Sequence, residues 1–202
     1  AMNKPISNCL LCDRELHQSI GWKELLLKSL PQTICSRCEQ RFQRIEQQQE
    51  EGVVSLFHYN EAMKDYLHRY KFLHDILLAK VFNKILHEQL KNETRLIIPI
   101  PMHPENLRLR TFAHIDELLK FANIPFAHHL TKLSKEQQSL KTREERLKTT
   151  QLFEVINPAA IKDKSLLIVD DIYTTGTTLN HAKKALLEAG AKTVDGFTLI
   201  HG

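Results

Sequence analysis

The chain has 202 residues, 42% apolar and 26% charged, which is enough for one full domain or a domain with a small module, and argues against wholesale disorder. Its longest apolar runs, such as 166–169, are too short to span a membrane, and the first residues lack a charged-then-apolar signal pattern, so a cytoplasmic protein is expected. A formal charge of +4 permits contact with nucleic acid without requiring it.

The first segment, 9–38, is bounded by two cysteine pairs and has little apolar periodicity. Trp22, Leu25, Leu26, Leu27 and Leu30 predict one short covering helix or hairpin. From 37 to 51 the composition predicts a polar helix ending in Gln47-Gln48-Gln49-Glu50-Glu51 before Gly52, a solvated end and linker. That places a boundary between a module at 1–51 and a domain at 52–202. A strand is expected at 53–59, and Asn60 is positioned to cap a helix running through Met63, Leu67 and Tyr70. Leu77, Leu78, Val81, Phe82, Ile85 and Leu86 recur at helical spacing. A buried strand at 96–100 ends at Pro99-Ile100-Pro101, and Ile115, Leu118, Leu119 and Ala122 mark a further helix. Shorter strands are expected at 126–130 and 151–156. The continuous apolar strand 165–169 is of the kind buried on both faces of a parallel sheet. Leu179, Ala182, Leu186 and Ala189 line the next helix, Gly190 stands where a left-handed C-cap belongs, and a strand at 193–200 closes the sheet. Strands alternating with helices imply an α/β fold with a mostly parallel sheet.

Cys9-Leu-Leu-Cys12 and Cys35-Ser-Arg-Cys38 use all four cysteines. Each pair presents two thiolates to one ion, and two matched pairs suit a structural Zn2+ better than disulfides in a reducing compartment or a redox motif. Such a metal would hold together a module too small for a core of its own. Four thiolates and one Zn2+ together would lower the net charge to roughly +2, so any nucleic-acid contact must rest on local clustering.

The most informative stretch runs from the apolar strand into Asp170-Asp171-Ile-Tyr-Thr174-Thr175-Gly176-Thr177-Thr178 and then an amphipathic helix. Backbone N–H groups, hydroxyls and a helix N-terminus suit a phosphate dianion, while the two carboxylates suit sugar hydroxyls or a hydrated Mg2+. Phosphate at one end and vicinal hydroxyls at the other describe a phosphorylated pentose. Plain helix capping does not explain two carboxylates at a buried strand end. A P-loop is excluded, since GxxxxGK[ST] is absent.

Apolar strand, Asp-Asp and Thr-Thr-Gly-Thr-Thr resemble the signature with which type I phosphoribosyltransferases bind 5-phosphoribosyl-1-pyrophosphate (PRPP). The resemblance implies that fold for the domain, preceded by a small zinc-ribbon-like module. It places Asp170 and Asp171 at the ribose hydroxyls, and Thr174, Thr175, Gly176, Thr177 and Thr178 around the 5-phosphate, with Mg2+ accompanying PRPP. The paired CxxC module, Tyr70-Lys71-Phe72, the Pro99-Ile100-Pro101 strand end, and Gln138 followed by Arg143 and Arg146 are together similar to ComF-type competence proteins. That similarity implies a part in natural transformation, assisting uptake of single-stranded DNA beside a ComF-operon DEAD-box helicase. Many relatives carry Arg-Gly-Phe-Asn-Gln where this chain has Arg110-Thr111-Phe112-Ala113-His114, and the resemblance leads one to expect an asparagine where Thr149 stands.

Among basic residues, Arg108 and Arg110 follow the Pro-x-Pro strand and are expected at the same sheet edge as Asp171; with the acidic pair they form the candidate catalytic set, steadying a departing pyrophosphate. The stretch 131–150 is locally basic, and Lys141, Arg143 and Arg146 are candidates for phosphate or DNA contact. Aromatics near it are sparse, so no stacking platform is evident. His114, His128 and His129 are read as structural or surface groups, and His103 as the one histidine to test as an acid or base. Three functions remain open at this level: a PRPP-binding competence protein, an active phosphoribosyltransferase of nucleotide metabolism, and a scaffold with a vestigial pocket.

Overall fold

The computed structural model describes residues 6–16, 30–46, 49–50, 52–103, 107–109, 111–133 and 152–202. Within them, the cysteine-bearing segment forms short loops and one helical turn, α1 (Ser36–Glu39). The polar helix expected over 37–51 is not formed. Turns follow α1, Arg44 bridges Phe57, and strand β1 (Gln49–Glu50) pairs antiparallel with β2 (Val53–His58). Pairing to a neighbouring strand has overridden the helical preference of a Gln/Glu run, which is worth only tenths of a kcal/mol per residue. The expected covering helix at Trp22 to Leu27 lies outside the described residues.

After β2 the chain caps and turns as its sequence dictates. Asn60 Oδ1 accepts from the Met63 N–H at 3.0 Å, starting α2 (Glu61–Phe72). The helical periodicity beyond it resolves into a 3-10 segment (Ile76–Phe82) running into α3 (Asn83–Leu90). β3 (Leu96–Pro99), α4 (His114–Phe121), β4 (Leu130–Lys132), β5 (Phe153–Val155) and α5 (Pro158–Ile161) follow. The chain ends with β6 (Ser165–Tyr173), α6 (Thr177–Glu188) and β7 (Thr193–His201). Gly190, at φ 99°, donates to Leu187 O while Ala191 donates to Leu186 O, the left-handed stop foreseen for α6.

The main sheet has the order β1-β2-β7-β6-β3, parallel throughout except for β1. The final strand therefore sits between β2 and β6 rather than at an edge. β4 and β5 form a separate antiparallel pair. Alternation along β6 divides the core: Leu167 and Val169 join the cluster under α2, α3 and α4, while Leu166 and Ile168 join the cluster under α6. Cys9, Leu16, Ile34, Cys38 and Phe42 belong to the first of these clusters, packed with Tyr66 and Phe82.

Candidate phosphoribosyl site and cysteine cluster

The strand expected to stop at Val169 continues to Tyr173. Asp170 pairs in register with Thr198, and Ile172 with Ile200. An apolar-run criterion ends at the first carboxylate, but strand hydrogen bonds are made by the backbone and do not stop there. Consecutive strand residues face opposite sides of a sheet, and the two acids have different neighbours accordingly. Asp171, 8% exposed, makes an ion pair through Oδ2 with Lys71 of α2. Asp170 stays partly exposed; its Oδ1 accepts from the Asp171 N–H at 2.9 Å. Burial, then the adjacent Asp171 charge, push the Asp170 carboxyl up to about 7, against the pull of that N–H and of Lys71 and Lys132.

Beyond Tyr173 the chain turns through Thr174 and Thr175, both exposed, to Gly176 at φ 70°, and α6 begins at Thr177. A side chain at 176 would be strained by that backbone, and its Cβ would lie 2.8 Å from the Tyr173 hydroxyl. Thr175 Oγ1 lies 2.8 Å from Thr177 Oγ1 and accepts from the Thr177 N–H at 3.5 Å, while Gly176 at the N-cap has no side chain with which to cap α6. The turn thus presents hydroxyls and first-turn N–H groups together with the positive end of a three-turn helix, a combination suited to a phosphate.

β3 ends beside Val169, and Ile100 N donates to Val169 O at 2.8 Å, so the chain leaving Pro99 emerges at the edge that carries the acids. Arg108 follows on an exposed stretch, and His103 is half-buried. Thr111 holds φ 65°, a left-handed backbone that is costly for a β-branched residue. His114 is buried in an aromatic group with Phe112 and Tyr70; His128 is exposed and pairs with Asp116 at 3.0 Å. Burial first, then Lys164 and His128, hold His129 below the usual imidazole range. Arg110, Lys141, Arg143 and Arg146 lie outside the described residues.

One lysine was missed as a partner of the acids. Lys71 carried only the family resemblance of Tyr70-Lys71-Phe72. Two tyrosines one helical turn apart, with Lys71 directly after the second, were the available signal.

The four cysteine sulfurs lie within 4.8 Å of one another, and Cys12 Sγ is 3.7 Å from Cys35 Sγ. That spacing fits four sulfurs around one ion, since Zn–S bonds of about 2.3 Å in a tetrahedron separate sulfurs by about 3.8 Å. Burial opposes ionisation of Cys9, but N–H groups of Cys35, Leu11 and Cys12 outweigh it and bring the thiol down to about 7. Burial, then its three cysteine neighbours, push Cys38 upward, and the four sulfurs together could hold a metal ion. Beside the cluster, a cavity of about 230 Å³ is lined by Leu11, Cys38, Arg41, Tyr66 and Arg69, away from the acidic pair. Its charged groups are already engaged: Arg41 with Asp65 at 3.5 Å, and Arg69 with Asp75 and the Leu10 and Leu11 carbonyls.

Residues 76–202 match the family described as "Phosphoribosyl transferase domain". The competence protein ComFC of Streptococcus pneumoniae is 36% identical over 95% of this chain and 99% of its own length. The competence protein ComFC of Bacillus subtilis is 29% identical, covering 95% of this chain and 94% of that one. Among solved structures, the glutamine phosphoribosylpyrophosphate amidotransferase of B. subtilis superposes on 66% of this chain and 30% of its own, at 17% identity and a TM-score of 0.46. Among the described residues no helix is long and apolar enough to cross a membrane.

Proposed function

From the chain's membership of the ComFC family of competence proteins, with a phosphoribosyl transferase domain over 76–202, we propose that it binds PRPP or a closely related phosphate in the service of DNA uptake. The observation that carries this reading is the run of β6 into α6: two carboxylates, then a hydroxyl-rich turn closed by Gly176, all at one edge of a parallel sheet. Thr174, Thr175, Gly176, Thr177 and Thr178 would hold the 5-phosphate, and Asp170 and Asp171 the ribose hydroxyls. Mg2+ arriving with PRPP would neutralise the pyrophosphate oxygens. Cys9, Cys12, Cys35 and Cys38 would hold Zn2+, which supplies cross-linking and no chemistry. In this reading 1–51 is the metal module and 52–202 the phosphoribosyl domain of a cytoplasmic protein. Single-stranded DNA would meet the basic stretch containing Lys141, Arg143 and Arg146, and a ComF-operon DEAD-box helicase would be the partner.

The ligand part is tested by thermal unfolding with Mg2+ and PRPP. Specific protection above that given by pyrophosphate alone is expected, and equal shifts would refute it. The DNA part is tested with a labelled oligonucleotide across a salt series. Affinity should fall linearly with salt on logarithmic axes; absence of binding at low salt, alone and with the helicase, rules it out.

A second reading, an active transferase, is favoured by the Asp170 carboxyl titrating near neutral pH beside the proposed pentose, where it could take or give a proton. Arg108 and Arg110 would then steady the departing pyrophosphate. Release of pyrophosphate from PRPP with any nucleobase would establish it.

A further inference from the structure

α2 crosses the face of the sheet on which Asp171 lies, and three successive residues at its C-terminal end have different fates. Tyr70 is buried, donates its hydroxyl to His114 O at 2.7 Å and stacks on Tyr66 at 5.6 Å. Phe72 is 60% exposed. Lys71 lies between them and directs its ammonium to Asp171 Oδ2, with the two side chains 16% and 11% exposed. Burying an ion pair costs desolvation that two packed apolar residues would not incur, so stability alone does not explain why this pair stands at the edge of the proposed site.

The backbone of Asp171 is fixed by the register of β6 against β7, with Asp170 opposite Thr198 and Ile172 opposite Ile200. Its side-chain torsions are not fixed by the sheet. Lys71 is itself rooted, since α2 is pinned at one end by the Asn60 cap and at the other by Tyr70. A carboxylate can accept about four hydrogen bonds, so an ammonium on Oδ2 leaves capacity for vicinal hydroxyls. Two adjacent carboxylates would also repel a phosphorylated ligand. A lysine on Asp171 offsets part of that repulsion.

We infer that Lys71 is a positioning residue of the phosphoribosyl site, holding the Asp171 carboxylate aimed so that it receives the ribose hydroxyls of a phosphorylated pentose. The inference rests on the phosphoribosyl reading above. Lys71 acts through Asp171; it need not touch the ligand.

The test is a cycle of variants titrated calorimetrically with ribose 5-phosphate and with Mg2+–PRPP. Lys71→Met should weaken both ligands by about tenfold or more, as for one end of a buried charge pair removed. Lys71→Arg, which keeps the charge, should recover most of that loss, which a purely structural role would not require. Asp171→Asn and the double variant should bind equally weakly, because either change breaks the same unit. Wild-type affinity in Lys71→Met, or losses that multiply in the double variant, would overturn the inference while leaving the phosphoribosyl reading intact. If Lys71→Met does not fold, Lys71→Gln decides by the same criteria. A wild-type protein that binds neither ligand would instead remove the phosphoribosyl reading, and the inference with it.

Discussion

Around Cys9 most of the fixing contacts are local: its N–H donates to Arg14 O at 2.8 Å, its carbonyl accepts from Asp13 N at 2.8 Å, and its sulfur accepts from the N–H of Cys35 in the second knuckle at 3.3 Å. Around Asp171 the fixing contact is Lys71, on a helix that precedes β3 and β6 in the chain. Both regions bring like groups close together, and both are arranged so that a cation can stand beside them. The cysteine cluster offers four sulfurs to an ion from outside, whereas the acidic pair carries a cation of its own on Lys71 of α2. Sites assembled from adjacent residues announce themselves as spacing. Sites assembled by the fold announce only the half that is contiguous.

The largest effect should come from the local side. Cys9 and Cys38 are buried in the same cluster as Phe42, Tyr66 and Phe82, so Cys38→Ser should forfeit both the ion and part of that core. We expect a loss of about 5 kcal/mol or more, read as a fall in melting temperature with one equivalent of zinc missing by mass spectrometry. Chelation of the wild type should reproduce it. Unchanged stability on both counts would make the cluster a bystander.

Next is Gly176→Ala, which tests the contiguous half of the second site. The left-handed backbone and the clash with the buried Tyr173 ring should together cost about 2–3 kcal/mol in urea unfolding, and should weaken phosphate binding. A smaller effect, tied to the long-range half, concerns pH. Asp170 is raised from 3.8 to about 7, so between those values the folded protein holds a proton that the unfolded chain has released. Its contribution to stability therefore falls as pH rises through that window. Asp170→Asn should remove this fall, melting several degrees above wild type at pH 8 and nearer to it at pH 5; a constant difference at both would contradict the assignment. The smallest effect is Thr111→Gly. Introducing glycine, which the left-handed φ favours, should stabilise by about 1 kcal/mol, a gain visible in the denaturant midpoint.

The same contrast explains what could be read from the sequence. The alternation of strands and helices, the Asn60 cap, the Gly190 stop, the knuckles and the threonine turn are set by neighbours within a few residues, and the structure has them where the pattern indicates. The misreading at 37–51 arose because β2 and Phe57 supply partners that no local pattern contains. The extension of β6 past Val169 has the same origin, since β7 continues alongside it to His201. Lys71 was legible as part of a motif but not as the partner of Asp171, because only the crossing of α2 over the sheet brings them together.

The most direct test of the central claim is calorimetric titration of Mg2+–PRPP into the wild type and into Asp170→Ala/Asp171→Ala. The account predicts micromolar binding in the wild type and none in the double variant, with both proteins folded and zinc-loaded. Equal heats in the two proteins, or none in either, would contradict it.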